Sequence, residues 1–432
     1  MNRGETIRRW LGTNKESCIQ YLQDLIRIPS VTGTEKEIQE FTDSYAKGMG
    51  LSTDKFEPDQ KELKKHPAYV DVEMGYSGRP NVVALWKGTG GGRSLILNGH
   101  VDVIPEGAPQ NWQHGCWSAD IEGGKLYGRG ASDMKSGVAA MTMAVRALKE
   151  CGFRLKGDVI LEYVIDEELS GNGTLACVTR GYTADAGICC ETSGMCVQPA
   201  SIGRIWYTIR VKGKAAGIQQ RFEGVNAIDK GYLVHKAIEK YEHHRLLTVS
   251  HPLYPDMISA IPCMVGQFES GTYNSAFPDT CTLKGSLAAV PGESSDALKK
   301  EFKKFLQQEC ARQDDWLDAN PPEVIYTGYF AEPSEIPADS PIVETLCSNF
   351  RQYLNREPEI SGREGAADIR HLNRYGNTPT VIFGPGSTEQ MHANNEWVSV
   401  QDYLDSIAIL ANTILDWCGA NEEGEYKSCR PD

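Results

Sequence analysis

Short apolar runs alternate with amphipathic stretches along this chain, and that alternation constrains its fold more than any other feature. Residues 82–85, 95–97, 159–165, 186–190 and 380–383 are apolar runs of strand length. The stretch 134–149 is small-residue-rich and amphipathic, and Val400, Leu404, Ile407, Leu410, Ile414 and Trp417 stripe a last helix. Strands alternating with helices predict an α/β fold, a mostly parallel sheet with helices on both faces. A first helix is expected over 14–28, with Ile19, Leu22, Leu25 and Ile26 on one face and Pro29 ending it. Thr34 and Glu37 have the spacing of a capping box for the next helix. Residues 88–92 read as a glycine-rich turn.

Near residue 203 the texture changes. Residues 205–211 alternate like a half-exposed strand, a helix is expected over 225–241, strands over 261–268 and 280–289, and a helix over 296–313. After about residue 330 the α/β pattern returns. At 432 residues the chain is too long for one ordinary core. The expected organisation is a catalytic α/β domain over 1–202 and 330–432, interrupted by a smaller α+β domain over 203–329.

A formal net charge of −14 argues against nucleic acid or an anionic membrane as partner. No apolar run approaches the roughly 18 residues of a membrane span. The charged stretch Met1 to Trp10 lacks the apolar segment of a signal peptide, and thirteen scattered cysteines without a C-x-x-C pattern read as reduced core thiols. These features predict a cytoplasmic protein.

The chemistry sits where the apolar runs end. His100 and Asp102 follow 95–97, and residues two apart in extended chain point the same way. Asp102 is then placed to accept the second ring N–H of a metal-bound His100. Asp133 lies among glycines at a helix start, where an acid serves either as a cap or as a carboxylate between cations. Asp166, Glu167 and Glu168 follow 159–165, and three consecutive acids repel unless a cation offsets them. Alternate directions along the chain would give one glutamate to a metal and its neighbour to general-base work. Glu191 follows 186–190, and His392 follows the loop after 380–383. In an open α/β sheet ligands bind at the edge where strands end. Two histidines and three carboxylates suit zinc first, with manganese or cobalt as alternatives.

These residues resemble the co-catalytic metallopeptidase family of carboxypeptidase G, acetylornithine deacetylase, succinyl-diaminopimelate desuccinylase and the zinc aminoacylases. The resemblance rests on Gly99-His-Val-Asp102, Gly128-Arg-Gly-Ala-Ser-Asp133-Met-Lys, Asp166-Glu-Glu168, Glu191, Gly224-Val-Asn-Ala-Ile228 and His392. It implies two divalent metal ions: His100 and Glu191 hold one, Glu168 and His392 the other, and Asp133 bridges them. It implies Asp102 behind His100, Glu167 as general base on an activated water, a cis Asp133–Met134 peptide, and a lid domain that often dimerises. A C–N (amide) bond of a small N-acyl amino acid or peptide-like acid is the implied target.

Two positions depart from the family. Its lid motif Gly-Lys-Ala-Ala-His, whose histidine stabilises an oxyanion, reads Gly213-Lys-Ala-Ala-Gly217 here. Loss of one such donor costs roughly 2.7–4 kcal/mol of barrier. Ser286 stands where relatives carry a substrate-binding arginine. Either the chain is inactivated at Gly217 and is a silent metal-binding homologue, or Gln219, Gln220 or Arg221 supplies a donor, or the substrate needs none. The last option leads to hydrolysis of a non-peptide C–N bond, such as deamination of an activated aromatic acid. Asn274 matches a lid residue near substrate, and Arg370 matches a carboxylate-binding arginine, so a small acidic substrate is expected.

Overall fold

A computed structural model describes residues 3–420. The chain divides into two compact units. One comprises residues 3–200, 335–361 and 367–420, and the other 201–334 with the short segment 362–366.

The first unit is built on a mixed sheet whose strand order begins Ser52–Phe56, Asn81–Trp86, Val159–Val164, Leu95–His100, Ala186–Cys189, Thr380–Ile382 and Val197–Ser201. The four central strands, Val159–Val164 through Thr380–Ile382, run parallel, and their neighbours on either side are antiparallel. The expectation of a mostly parallel sheet therefore holds for the centre and not for the flanks. Strand Asn81–Trp86 reads as one more apolar run in sequence, but it pairs antiparallel with Val159–Val164, Val82 opposite Tyr163.

Alternation on these strands feeds two hydrophobic layers. Leu95, Leu97, Leu161 and Tyr163 join the larger core, with helices Arg3–Arg27, Lys135–Glu150 and Val400–Cys418. Ile96, Ile160 and Val164 point the other way, to Cys177, Val178 and Leu372 on helices Asn172–Thr179 and Ile369–Arg374. Helices thus cover both faces, which is why these strands carry so little polar sequence.

Local readings differ in places. The first helix starts at Arg3 because Ile7, Trp10 and Leu11 extend the buried stripe upstream of residue 14. The Thr34–Glu37 capping box is absent: the next helix runs Lys36–Gly48 with Glu35 at its N-cap, and the Thr34 hydroxyl donates to the Val31 carbonyl at 2.7 Å.

The second unit has its own antiparallel sheet, in the order Met264–Ser270, Thr280–Ala289, Gly203–Lys212, Glu323–Ile325. Ile205, Tyr207, Ile209 and Val211 face helices Ala227–Thr248 and Ser295–Gln313, forming a core separate from that of the first unit. Among the described residues twelve cysteines are free thiols, and no helix is long and apolar enough to cross a membrane.

Candidate metal centre

The four parallel strands bring the chemistry to one edge. His100 is the last residue of its strand, Glu167 and Glu168 follow Val159–Val164, Glu191 lies two residues beyond Ala186–Cys189, and the chain after Thr380–Ile382 leads to His392. Parallel strands share the end at which they finish, so donors far apart in sequence meet.

They meet as two groups with one shared member. His100 Nε2 lies 3.2 Å from both Asp133 Oδ1 and Glu191 Oε2. His392 Nε2 lies 2.9 Å from Glu168 Oε2 and 3.4 Å from Asp133 Oδ2. Each trio has ligand atoms within 4.8 Å of one another. Asp133 turns one oxygen to each group, the arrangement a bridging ligand requires. The Asp133–Met134 peptide is cis. Glu167 Oε2 stands 4.0 Å from His100 Nε2, beside the first group.

The donor set fits a pair of cations, and His100 shows why. Its Nδ1 faces the Asp102 backbone carbonyl at 2.8 Å. A proton donated there leaves Nε2 facing two carboxylate oxygens, and either a second ring proton or a cation between them must offset the repulsion. Burial opposes the charged ring, while hydrogen bonds to Asp133 and Glu191 hold His100 well above its usual range. The carboxyls carry the same signature. Burial pushes Glu167 well above the usual range, with His100 opposing it and Asp368 and Glu191 adding to it. Burial and then Asp133 raise Glu168. Hydrogen bonds to Asp133 and Glu168 hold His392 up at about 10. Bound divalent ions would displace such protons.

Asp102 acts differently from the expectation. Its carboxylate Oδ1 is 3.6 Å from His100 Nδ1, and its carbonyl takes the ring contact instead. The carboxylate accepts the backbone N–H of Glu167 at 3.1 Å and of Glu168 at 3.3 Å, and the Thr32 hydroxyl at 2.9 Å. Asp102 thus orients the imidazole with its backbone and the acidic loop with its side chain. Asp166, at φ +67°, turns that loop, its carboxylate held by Tyr76 at 2.9 Å and Arg79 at 3.0 Å.

Arg370 is also placed differently. It is 2% exposed, with Nη2 donating to the Ser170 carbonyl at 2.9 Å and Nη1 3.7 Å from Asp368 Oδ1. Its guanidinium therefore packs beneath the acidic loop. The ion pair with Asp368 exists, but it is buried.

The remaining expected substrate residues gather on one exposed ribbon of the second unit. Gly217 pairs with Ala276, the Ile218 amide donates to the Ser275 carbonyl at 3.1 Å, and Gln219, Arg221 and Asn274 are exposed. Gly217 has φ −70° and open space where a Cβ would sit, so the backbone does not require glycine there. Ser286 is buried in the centre of that unit's sheet, between Trp206 and Met264.

Sequence reasoning missed Glu396. Its carboxylate accepts the amides of Gly130, Ser132 and Asp133. Its one sequence signal is an acid four residues after His392, and its partners lie more than 260 residues upstream.

Comparison with known proteins gives a context for this geometry. The sequence profile of peptidase family M20/M25/M40 matches residues 96–416. An N-formyl-4-amino-5-aminomethyl-2-methylpyrimidine deformylase from Bacillus subtilis (strain 168) is 30% identical, covering 97% of this chain and 98% of that protein. A probable succinyl-diaminopimelate desuccinylase from Staphylococcus aureus (strain MSSA476) is 24% identical over 92% of this chain and 97% of its own length. The crystal structure of a dinuclear metal-binding M20 peptidase from Bacillus subtilis superposes with a TM-score of 0.60 at 14% identity, covering 94% of this chain and 99% of that one.

Proposed function

This chain belongs to peptidase family M20/M25/M40, and from that premise we propose that it hydrolyses the amide of a small N-acyl amine, with an acyl group as small as formyl. One observation carries the reading: Asp133 presents its two oxygens to two separate histidine–carboxylate groups, with the Glu167 carboxylate alongside. His100, Glu191, Asp133, Glu168 and His392 would hold two divalent cations, with zinc first and manganese or cobalt as alternatives. When bound, such a pair supplies Lewis-acid polarisation and lowers the pKa of a water.

The chain's own groups do the rest. Asp102 fixes the direction in which Glu167 and Glu168 leave the backbone. Glu167 takes a proton from the attacking water and delivers it to the leaving nitrogen. Water oxygen bonds to the acyl carbon, the C–N bond breaks, and a carboxylic acid and an amine result. A formyl carbon bears hydrogen in place of an alkyl group, so it is the more electrophilic and needs less help at its oxygen. That suits a chain with Gly217 where the lid motif of relatives carries its oxyanion-stabilising histidine. The deformylase resemblance over almost the whole chain points the same way.

The free thiols and the net charge of −14 support a cytoplasmic setting. Exposed Met264 and Phe268 on the edge strand Met264–Ser270, with exposed Tyr232 on the helix packed against it, support a homodimer.

The test is a matched series of N-formyl, N-acetyl and N-succinyl derivatives of one aminomethylpyrimidine, given to metal-reconstituted protein. Formate release with kcat/KM at least tenfold above the acetyl compound is expected. Glu167→Gln should cut kcat about 10²–10⁴-fold with metal content retained. Ammonia released from the ring amine would favour hydrolytic deamination instead. No turnover of any amide would overturn the proposal and leave the silent homologue.

A further inference from the structure

The loop that carries Asp133 folds around a carboxylate from the far end of the chain. Glu396 is fully buried. Its Oε1 accepts the amides of Ser132 at 2.8 Å and Asp133 at 2.9 Å, and its Oε2 accepts the amide of Gly130 at 2.9 Å and Arg129 Nη1 at 2.8 Å. Arg129 Nη1 also donates to the Ala393 carbonyl at 3.1 Å, and the Gly128 amide donates to the Glu396 carbonyl at 2.9 Å. Four donors on one carboxylate tie 128–133 to 393–396. The first segment ends in the shared carboxylate, and the second begins one residue after His392.

We propose that Glu396 is a positioning residue for the two-cation site, fixing the backbone of Asp133 and, through Arg129, the loop that presents His392. The inference rests on the reading of Asp133 as the shared ligand. A carboxylate suits this place because it only accepts, and every group facing it donates. Glutamine of the same shape would turn an NH2 towards two of those donors, leaving at least one amide unpaired. The Asp133 Cα is then no longer held, and a ligand that must serve two cations tolerates less displacement than one that serves a single cation.

Cobalt(II) titration of metal-free protein, followed by visible absorbance and by equilibrium dialysis, tests this. Wild type is expected to bind two equivalents. Glu396→Gln should bind the second about 10–100-fold more weakly and show an altered d–d spectrum, in a metal-free protein that still folds but melts at a lower temperature. Unchanged cobalt affinities and spectrum in a folded Glu396→Gln protein would overturn the positioning role. If wild type itself binds fewer than two equivalents, the reading of the site fails, independently of Glu396. If Glu396→Gln does not fold, Arg129→Gln carries the test. It removes one donor from the same carboxylate, so a smaller loss at the second equivalent supports the role and no loss overturns it.

Discussion

Glu167 and Glu168 are neighbours with opposite assignments, and the backbone separates them. Asp166 in the left-handed region starts the turn, and Asp102 then takes both glutamate amides, so the two side chains leave in fixed and different directions. Behind this loop lies a carboxyl with no such duty. Glu162 is fully buried in mid-strand, one oxygen accepting from Asn98 at 2.9 Å and the other without a hydrogen-bond partner. Burial pushes its pKa up to about 8, Asn98 opposing and Asp368 adding. Asn98 also donates to the Thr174 hydroxyl, which donates to Asp368, so no cation is among these neighbours. The folded protein therefore keeps a proton that the unfolded chain releases at its ordinary value near 4.5. Stability is fullest below pH 4.5 for this group, falls as pH rises towards 8, and is level above that. The effect is on the order of a few kcal/mol. Glu162→Gln should flatten the fall in melting temperature between pH 5 and 8. An unchanged slope would mean that Glu162 is ionised in the folded state.

At the scale of elements, the site depends on how closely the helix Lys135–Glu150 lies on the strand edge. Gly137 makes that approach possible, because a Cβ there would sit 1.7 Å from the Cys190 carbonyl oxygen, next to Glu191. Alanine in an exposed helix gains about 1 kcal/mol over glycine. Here the sign reverses, and Gly137→Ala should lose about 1–3 kcal/mol by overpacking, measured by denaturant unfolding. Activity should fall as well, since the displaced backbone carries Glu191. A stabilised variant would show that the helix can slide. The same contrast explains what the sequence reveals. Four of the five candidate donors were legible because each comes after an apolar run and strands that run parallel must finish together, whereas Asp133 was legible as an acid among glycines at a helix start. The antiparallel pairing of Asn81–Trp86 was not, because a strand buried on both faces reads alike in either direction. Glu396 and the side chain of Asp102 were hidden for another reason: most of their partners are backbone amides, which carry no residue identity. The helix over 225–241 continues to Thr248, with buried Arg245 donating to Glu293 through a charged contact that periodicity does not register.

Across the whole molecule, all five donors belong to one unit and none to the other. His100, Asp133, Glu168, Glu191 and His392 lie within residues 3–200 and 367–420. The second unit holds an independent core of Ile205, Tyr207, Ile209, Leu283, Phe302 and their neighbours. A ligand stabilises only what it binds, by RT ln(1 + [L]/Kd), about 2.7 kcal/mol at a hundred times Kd. Cations that relieve carboxylate repulsion at the strand ends should therefore deepen protection in the first unit and leave the second where it was. Hydrogen exchange read peptide by peptide, with chelator and then with saturating zinc or manganese, separates the two. Slower exchange is expected along Leu95–His100, Val159–Val164 and Lys135–Glu150, with unchanged rates in Thr280–Ala289 and Ser295–Gln313. Equal slowing in both sets would mean that the units unfold as one cooperative body. No change in either would mean that the buried carboxyls are settled by protons alone and that metal adds nothing to the fold.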